Sequence, residues 1–174
     1  MNTSTLMKIV LSTGAVDAIS KAAGIDPDQT KKVLNLIVPT LMGGATKQAT
    51  GKDTAESFAK AILDHADADT RDLAGFFGKV DTTDGGKIVD HLLGTAATTA
   101  LVKIAAKSVG LNEKTVKLII TMVSPLLMSI LGQQKKKHGD NGSELLKDLV
   151  AGTAEKVLGG NGGLLGGVVG KLLG

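Results

Sequence analysis

The side chains able to do chemistry are few and scattered. The three histidines, His65, His91 and His138, lie in separate segments, with no second histidine or carboxylate at metal-ligand spacing forming a set. There is no cysteine, so disulfides, thiolate zinc sites and cysteine nucleophiles are excluded. The acidic run Asp64, Asp67, Asp69, Asp72 lacks the glycine and terminal glutamate of a calcium loop, and reads as a solvated face with helix caps. Gly51-Lys52 is followed by Asp53, and Thr46 stands where a phosphate-binding loop needs its first glycine. No G-x-S-x-G nucleophile elbow occurs. The expectation is a protein that is not an enzyme and that takes no cofactor, metal or small-molecule ligand.

What remains are surfaces. Lys135-Lys136-Lys137-His138 follows a helix end, where cations favour the macrodipole and could also meet anionic lipid. In the tail, Gly163 and Gly167 share one helical face and Gly170 lies on a second such strip, beside leucines and valines. Lys135, Lys136, Lys137, Gly163, Gly167 and Gly170 are therefore the candidate interaction surface. Nucleic acid is an unlikely partner, because the net charge is only +3 and aromatic stacking platforms are missing.

The elements that would position these groups are helices. The 174 residues are 43% hydrophobic but only 2% aromatic, so the core must be built from Leu, Ile, Val, Met and Ala. Strand alternation with hairpin turns is nowhere sustained, and the fold class is all-α. The segment Met1 to Ser20 has no basic stretch ahead of its apolar residues and reads as a first helix rather than a signal peptide, which places the chain in the cytoplasm. Asp53 with Glu56 suggests a capping box before Phe58, and Asp69 with Asp72 caps the helix carrying Phe76 and Phe77. Gly85-Gly86 reads as punctuation before a short helix, Ile88 to Leu93.

Laying the second half on the first reveals a repeat. At an offset of 86 residues Gly24 meets Gly110, Lys21 meets Lys107, Pro39 meets Pro125, Leu41 meets Leu127 and Met42 meets Met128. In each copy a short helix stops at the glycine and a new one starts at Asp26 or Asn112. These next helices, about 27–48 and 113–134, are the most apolar of the chain. Pro39 and Pro125 should kink or split them, with Ser124 able to cap a fresh segment. The run Leu118 to Leu131 is apolar almost all round but too short to span a membrane, which suits a core helix. The expected organisation is a first helical repeat over 1–92, a second over 93–158 sharing one core with the first, and a Gly/Leu-rich helix or tail over 159–174.

The series Asp84-Gly85-Gly86-Lys87-Ile88-Val89-Asp90-His91-Leu92-Leu93-Gly94, the stretch Gly110-Leu111 through Ser124-Pro125-Leu126-Leu127-Met128 to Leu131-Gly132, and the closing Leu-Leu-Gly-Gly repeats together resemble the YidB-like bacterial proteins of unknown function. That resemblance implies a bacterial source and a compact multihelical fold, and no active site. The leading functional expectation is a non-enzymatic interaction or scaffolding module that binds a protein partner or itself. The alternatives are a membrane-surface protein using the tail and the lysine cluster, and a hydrolase whose site no motif reveals.

Overall fold

A computed structural model describes residues 3–139, and every regular element among them is an α-helix. In chain order these are α1 (Thr3–Val10), α2 (Thr13–Ala23), α3 (Pro27–Thr50), α4 (Ala55–Asp64), α5 (Leu73–Lys79), α6 (Thr82–Leu93), α7 (Thr95–Val109) and α8 (Glu113–His138). The region read as one first helix is two: Ser12 caps α2 by accepting from the Ala15 amide, which breaks the chain after α1.

The α2–α3 and α7–α8 corners have one local design. Gly24 and Gly110 adopt the left-handed conformation, at φ 68° and 74°, which a side chain would disfavour. Ile25 and Leu111 then donate back to the carbonyls of Ser20 and Ala106, closing the helix ends. Asp26 and Asn112 restart the chain by accepting from the amides of Gln29 and Thr115, each at 2.8 Å. Pro39 and Pro125 are both the thirteenth residue of their helices. Neither proline splits its helix, contrary to one expectation, and Ser124 caps nothing. Its hydroxyl donates to the Ile120 carbonyl at 2.7 Å within the continuous α8.

α8 is the centre of the molecule. Every residue from Ile119 to Gly132 is buried, so the helix is enclosed all round, with α2, α3, α4, α6 and α7 packed against it. It is long and apolar enough to cross a membrane by composition, yet 83% of its most apolar window is already covered by the protein. Apolar side chains from α3 (Ile37, Leu41), α4 (Phe58, Ile62) and α6 (Val89, Leu92) complete the core around it.

Glycine makes the closest helix contacts possible, and each targets a carbonyl near a helix defect. Pro125 has no N–H, so the Thr121 carbonyl loses its helical donor. Gly85 rests there: a methyl group on it would lie 1.8 Å from that oxygen. Ala66 donates to Leu63 rather than to Ile62 at the end of α4, and Gly132 of α8 meets the Ile62 carbonyl, 1.9 Å from where a methyl would sit. Gly44 of α3 likewise meets the Leu92 carbonyl in the last turn of α6. Orphan carbonyls thus face Cα–H groups of a neighbouring helix, a weak but favourable contact.

Two local expectations are corrected by the same packing. Gly85 and Gly86 lie inside α6, which starts earlier because Asp81 caps it by accepting from the Thr83 and Asp84 amides. The Asp53 capping box does not form. Thr54 takes the N-cap position without a side-chain cap, its hydroxyl donating to the Gln48 carbonyl.

Candidate interaction surfaces

The chain turns by 105° between α6 and α7 at Gly94, whose φ of 85° and ψ of 151° suit glycine alone. With α6 held tightly on α8, this corner leaves a groove of about 380 Å³ between α6, α7 and the first half of α8. Its floor is Val89, Val102 and Ile120, with Thr95, Thr98, Thr99 and Thr121 around it. Three of the four threonines offer the groove no free donor. Thr98 donates to the Gly94 carbonyl, Thr99 to Thr95 and Thr121 to Leu118, at 2.8 to 2.9 Å. With those protons committed to helix backbone, the groove is an apolar seat. Its rim carries both signs of charge, Asp90 and Glu113 with Lys114 and Lys117.

A second hollow of about 370 Å³ lies where the 65–72 loop and α5 meet α6 and α8. Six titratable groups line it, His65, Asp69, Asp72, Lys79, Asp81 and Asp84, but most of the acids are already engaged. Asp72 caps α5 through the Gly75 amide at 3.0 Å, as its spacing suggested, and Asp81 caps α6. Asp69 accepts from the amide and guanidinium of Arg71, which holds its carboxyl below the usual range and raises the guanidinium in turn. His65 Nε2 stands 3.8 Å from Asp84 Oδ2, an ion pair when the imidazole is protonated. Their separation of nineteen residues hid this pair from the sequence. Among the described residues no three His, Cys, Asp or Glu side chains are grouped to hold a metal ion.

The loop bordering this hollow is pinned by Gln133. Its amide donates to the Ala68 carbonyl at 2.7 Å and accepts from the Thr70 hydroxyl at 3.0 Å. Nothing in the sequence singled out Gln133, because its partners lie more than sixty residues away.

The other candidates resolve differently. Lys135, Lys136 and Lys137 lie in the last turn of α8 rather than beyond its end. Lys136 pairs with Asp67, Lys135 is half-buried and Lys137 is exposed, so the three form no continuous basic face. His91 is exposed, and its part in helix contact is through its backbone carbonyl, which accepts from the Gln48 amide at 3.0 Å. Gly163, Gly167 and Gly170 lie outside the described residues.

A family model described as a bacterial protein of unknown function (DUF937) matches residues 5–134. Neither a curated protein nor a solved structure matches the chain. The matched region runs from α1 into the last turns of α8, and so includes the glycine contacts, the proline-bearing helices and both hollows. In agreement with the YidB-like resemblance of its sequence, the chain belongs to this bacterial family of unknown function.

Proposed function

We propose that this chain is a non-enzymatic interaction module of the bacterial cytoplasm, and that the groove between α6, α7 and α8 receives a protein partner. The observation that carries the reading is the chemistry of the groove. Its floor is aliphatic, three of its four threonine hydroxyls donate to their own helices, and its rim mixes acids and lysines. Such a seat suits a segment with small apolar side chains flanked by charges of both signs. Its two lysines, Lys114 and Lys117, share the rim with Asp90 and Glu113, a mixture that does not single out a phosphate or a reacting carbonyl. The lysine cluster supports the membrane-surface reading less well, since Lys136 is paired and Lys135 half-buried.

The test is site-specific photo-crosslinking in the native host. A photoreactive residue at the exposed Thr99 is expected to give one discrete protein adduct, and one at the exposed Asp17 on α2 is expected not to give it. An adduct of twice the chain mass identifies self-association. Equal labelling from both positions, or none, overturns the groove. Flotation of the purified chain with anionic vesicles would move the reading to the membrane, and a hydrolytic activity lost on filling the groove by Thr99→Arg would make it an active site.

A further inference from the structure

The groove does not end at Thr121. A neighbouring hollow of about 400 Å³ is lined by Thr82, Lys114, Thr115, Lys117, Leu118 and Thr121, and it shares Lys114, Lys117 and Thr121 with the groove. The two are halves of one trough. Thr82, Gly86, Val89 and Asp90 fall at helical spacing along α6, as Lys114, Lys117, Leu118 and Thr121 do along α8, so each helix turns a single stripe to it.

Gly86, midway along the α6 stripe, is required by nothing else in the described fold. Its φ is not positive, and a methyl group on it would meet only Thr121 Cγ2 at 3.8 Å, so neither backbone conformation nor packing demands glycine there. A glycine inside a helix costs stability relative to alanine. What it supplies is a bare backbone that another backbone can approach closely. The fold itself uses Gly44, Gly85 and Gly132 in this way, each against a carbonyl of a neighbouring helix. Gly86 offers the same kind of contact on the open side of α6.

The charges add a direction. Among the described residues Asp90, Glu113, Lys114 and Lys117 are in no ion pair. The two acids line only the groove, whereas the hollow beyond it has lysines alone, so the trough becomes more positive toward Thr82. A helix carries partial positive charge at its N-terminus and partial negative charge at its C-terminus, and so fits such a trough in one sense only. We propose that a helix of a partner protein lies in the trough with its C-terminal end toward Thr82, packed on Gly86 through small side chains and setting an acidic side chain against Lys117. This deepens the groove reading and rests on it.

The test uses the full chain in its native host, with a photoreactive residue at Thr99 or at the exposed Thr82. Both positions are expected to give one adduct of the same mass. The partner residues they label should lie on one helix, with a carboxylate beside its small residues and the Thr82 contact C-terminal to the Thr99 contact. Gly86→Ala should lower the Thr99 adduct about tenfold while the protein melts no lower than the parent, because the added methyl obstructs the partner and not the fold. Lys117→Glu should lower it similarly through like-charge repulsion. Gly78→Ala, at an exposed glycine of α5 with nothing within 4 Å, should leave it unchanged. If Thr99 labels a protein but Gly86→Ala or Lys117→Glu has no effect, Thr82 labels nothing or something else, or the labelled segment is not helical, this proposal falls and the groove reading stands. No Thr99 adduct in the unsubstituted chain overturns both. An adduct of twice the chain mass seats a second copy in the trough and overturns the assignment to a different protein.

Discussion

Gly85 and Gly86 are adjacent in α6, yet alanine should act on them with opposite sign. In an ordinary helix interior Gly→Ala stabilises by about 1 kcal/mol, through propensity and a less disordered unfolded chain. Gly86 meets that condition, since a methyl group there finds only the Thr121 Cγ2 atom at 3.8 Å, an ordinary contact. Gly86→Ala is expected to stabilise by roughly 0.5–1 kcal/mol, and for a chain of this size to raise Tm by about 1–4 °C. At Gly85 the same methyl would lie 1.8 Å from the Thr121 carbonyl oxygen and 2.7 Å from its carbon, both backbone atoms that no rotamer change can move. A tolerable carbon–oxygen contact needs about 3.3 Å, so α6 must lift from α8 by more than an ångström. A gap of that size forfeits a large part of the dispersion energy along the α6–α8 contact, the most extensive of the fold. Overpacking of this kind costs about 1–3 kcal/mol or more, which exceeds the propensity gain. Gly85→Ala should therefore destabilise by about 2 kcal/mol net, lowering Tm by roughly 4–8 °C. Thermal melts followed by circular dichroism at 222 nm read both variants. Shifts of the same sign, or a Gly85→Ala protein as stable as the parent, would refute the close approach.

Three further outcomes follow from the same contacts. Pro125→Ala restores an N–H that pulls the Thr121 carbonyl back toward its own helix and away from Gly85, so a loss of about 1–3 kcal/mol is expected, and a clear rise in Tm would show the proline to be incidental. Ser20 and Thr30 share a buried hydroxyl–hydroxyl bond of 2.7 Å, while at the offset of 86 the other corner has Ala106 and Val116. Thr30→Val alone should cost about 1–2 kcal/mol by stranding the Ser20 hydroxyl, whereas Ser20→Ala with Thr30→Val should be near neutral; additive losses in denaturant melts would contradict this. Fragments 1–92 and 93–174 should each be poorly helical by circular dichroism, because α4 and α6 pack on α8 across that cut; two independently melting halves would show otherwise.

Much of the local structure was written in the residues themselves. Asp26, Asp72 and Asn112 cap the helices that follow because a short acceptor side chain reaches an amide three residues on, whatever the rest of the chain does. Gly24 and Gly110 end theirs because the left-handed cap is sterically cheap only without a side chain. The near-continuous apolar run of α8 required a position enclosed on all sides, and that is where it lies. Each of these is a short-range property, legible within a few residues.

The rest was decided by tertiary contact. Local rules treat two adjacent glycines as a break, but Gly85 and Gly86 are helical because α8 presents a carbonyl that only a bare backbone can approach. The proline defects do not split their helices; in α8, core packing along Ile119 to Gly132 on both sides of Pro125 outweighs one missing hydrogen bond. The groove depends on the 105° corner at Gly94 and on the tight seat of α6, and neither can be read from the threonines that line it. His65 with Asp84 and Gln133 with Ala68 are distant in sequence, and no periodicity marks them. Sequence alone fixes what each segment can do with its own neighbours, while helix-on-helix packing determines which backbone groups are orphaned, which are covered, and which surface is left open.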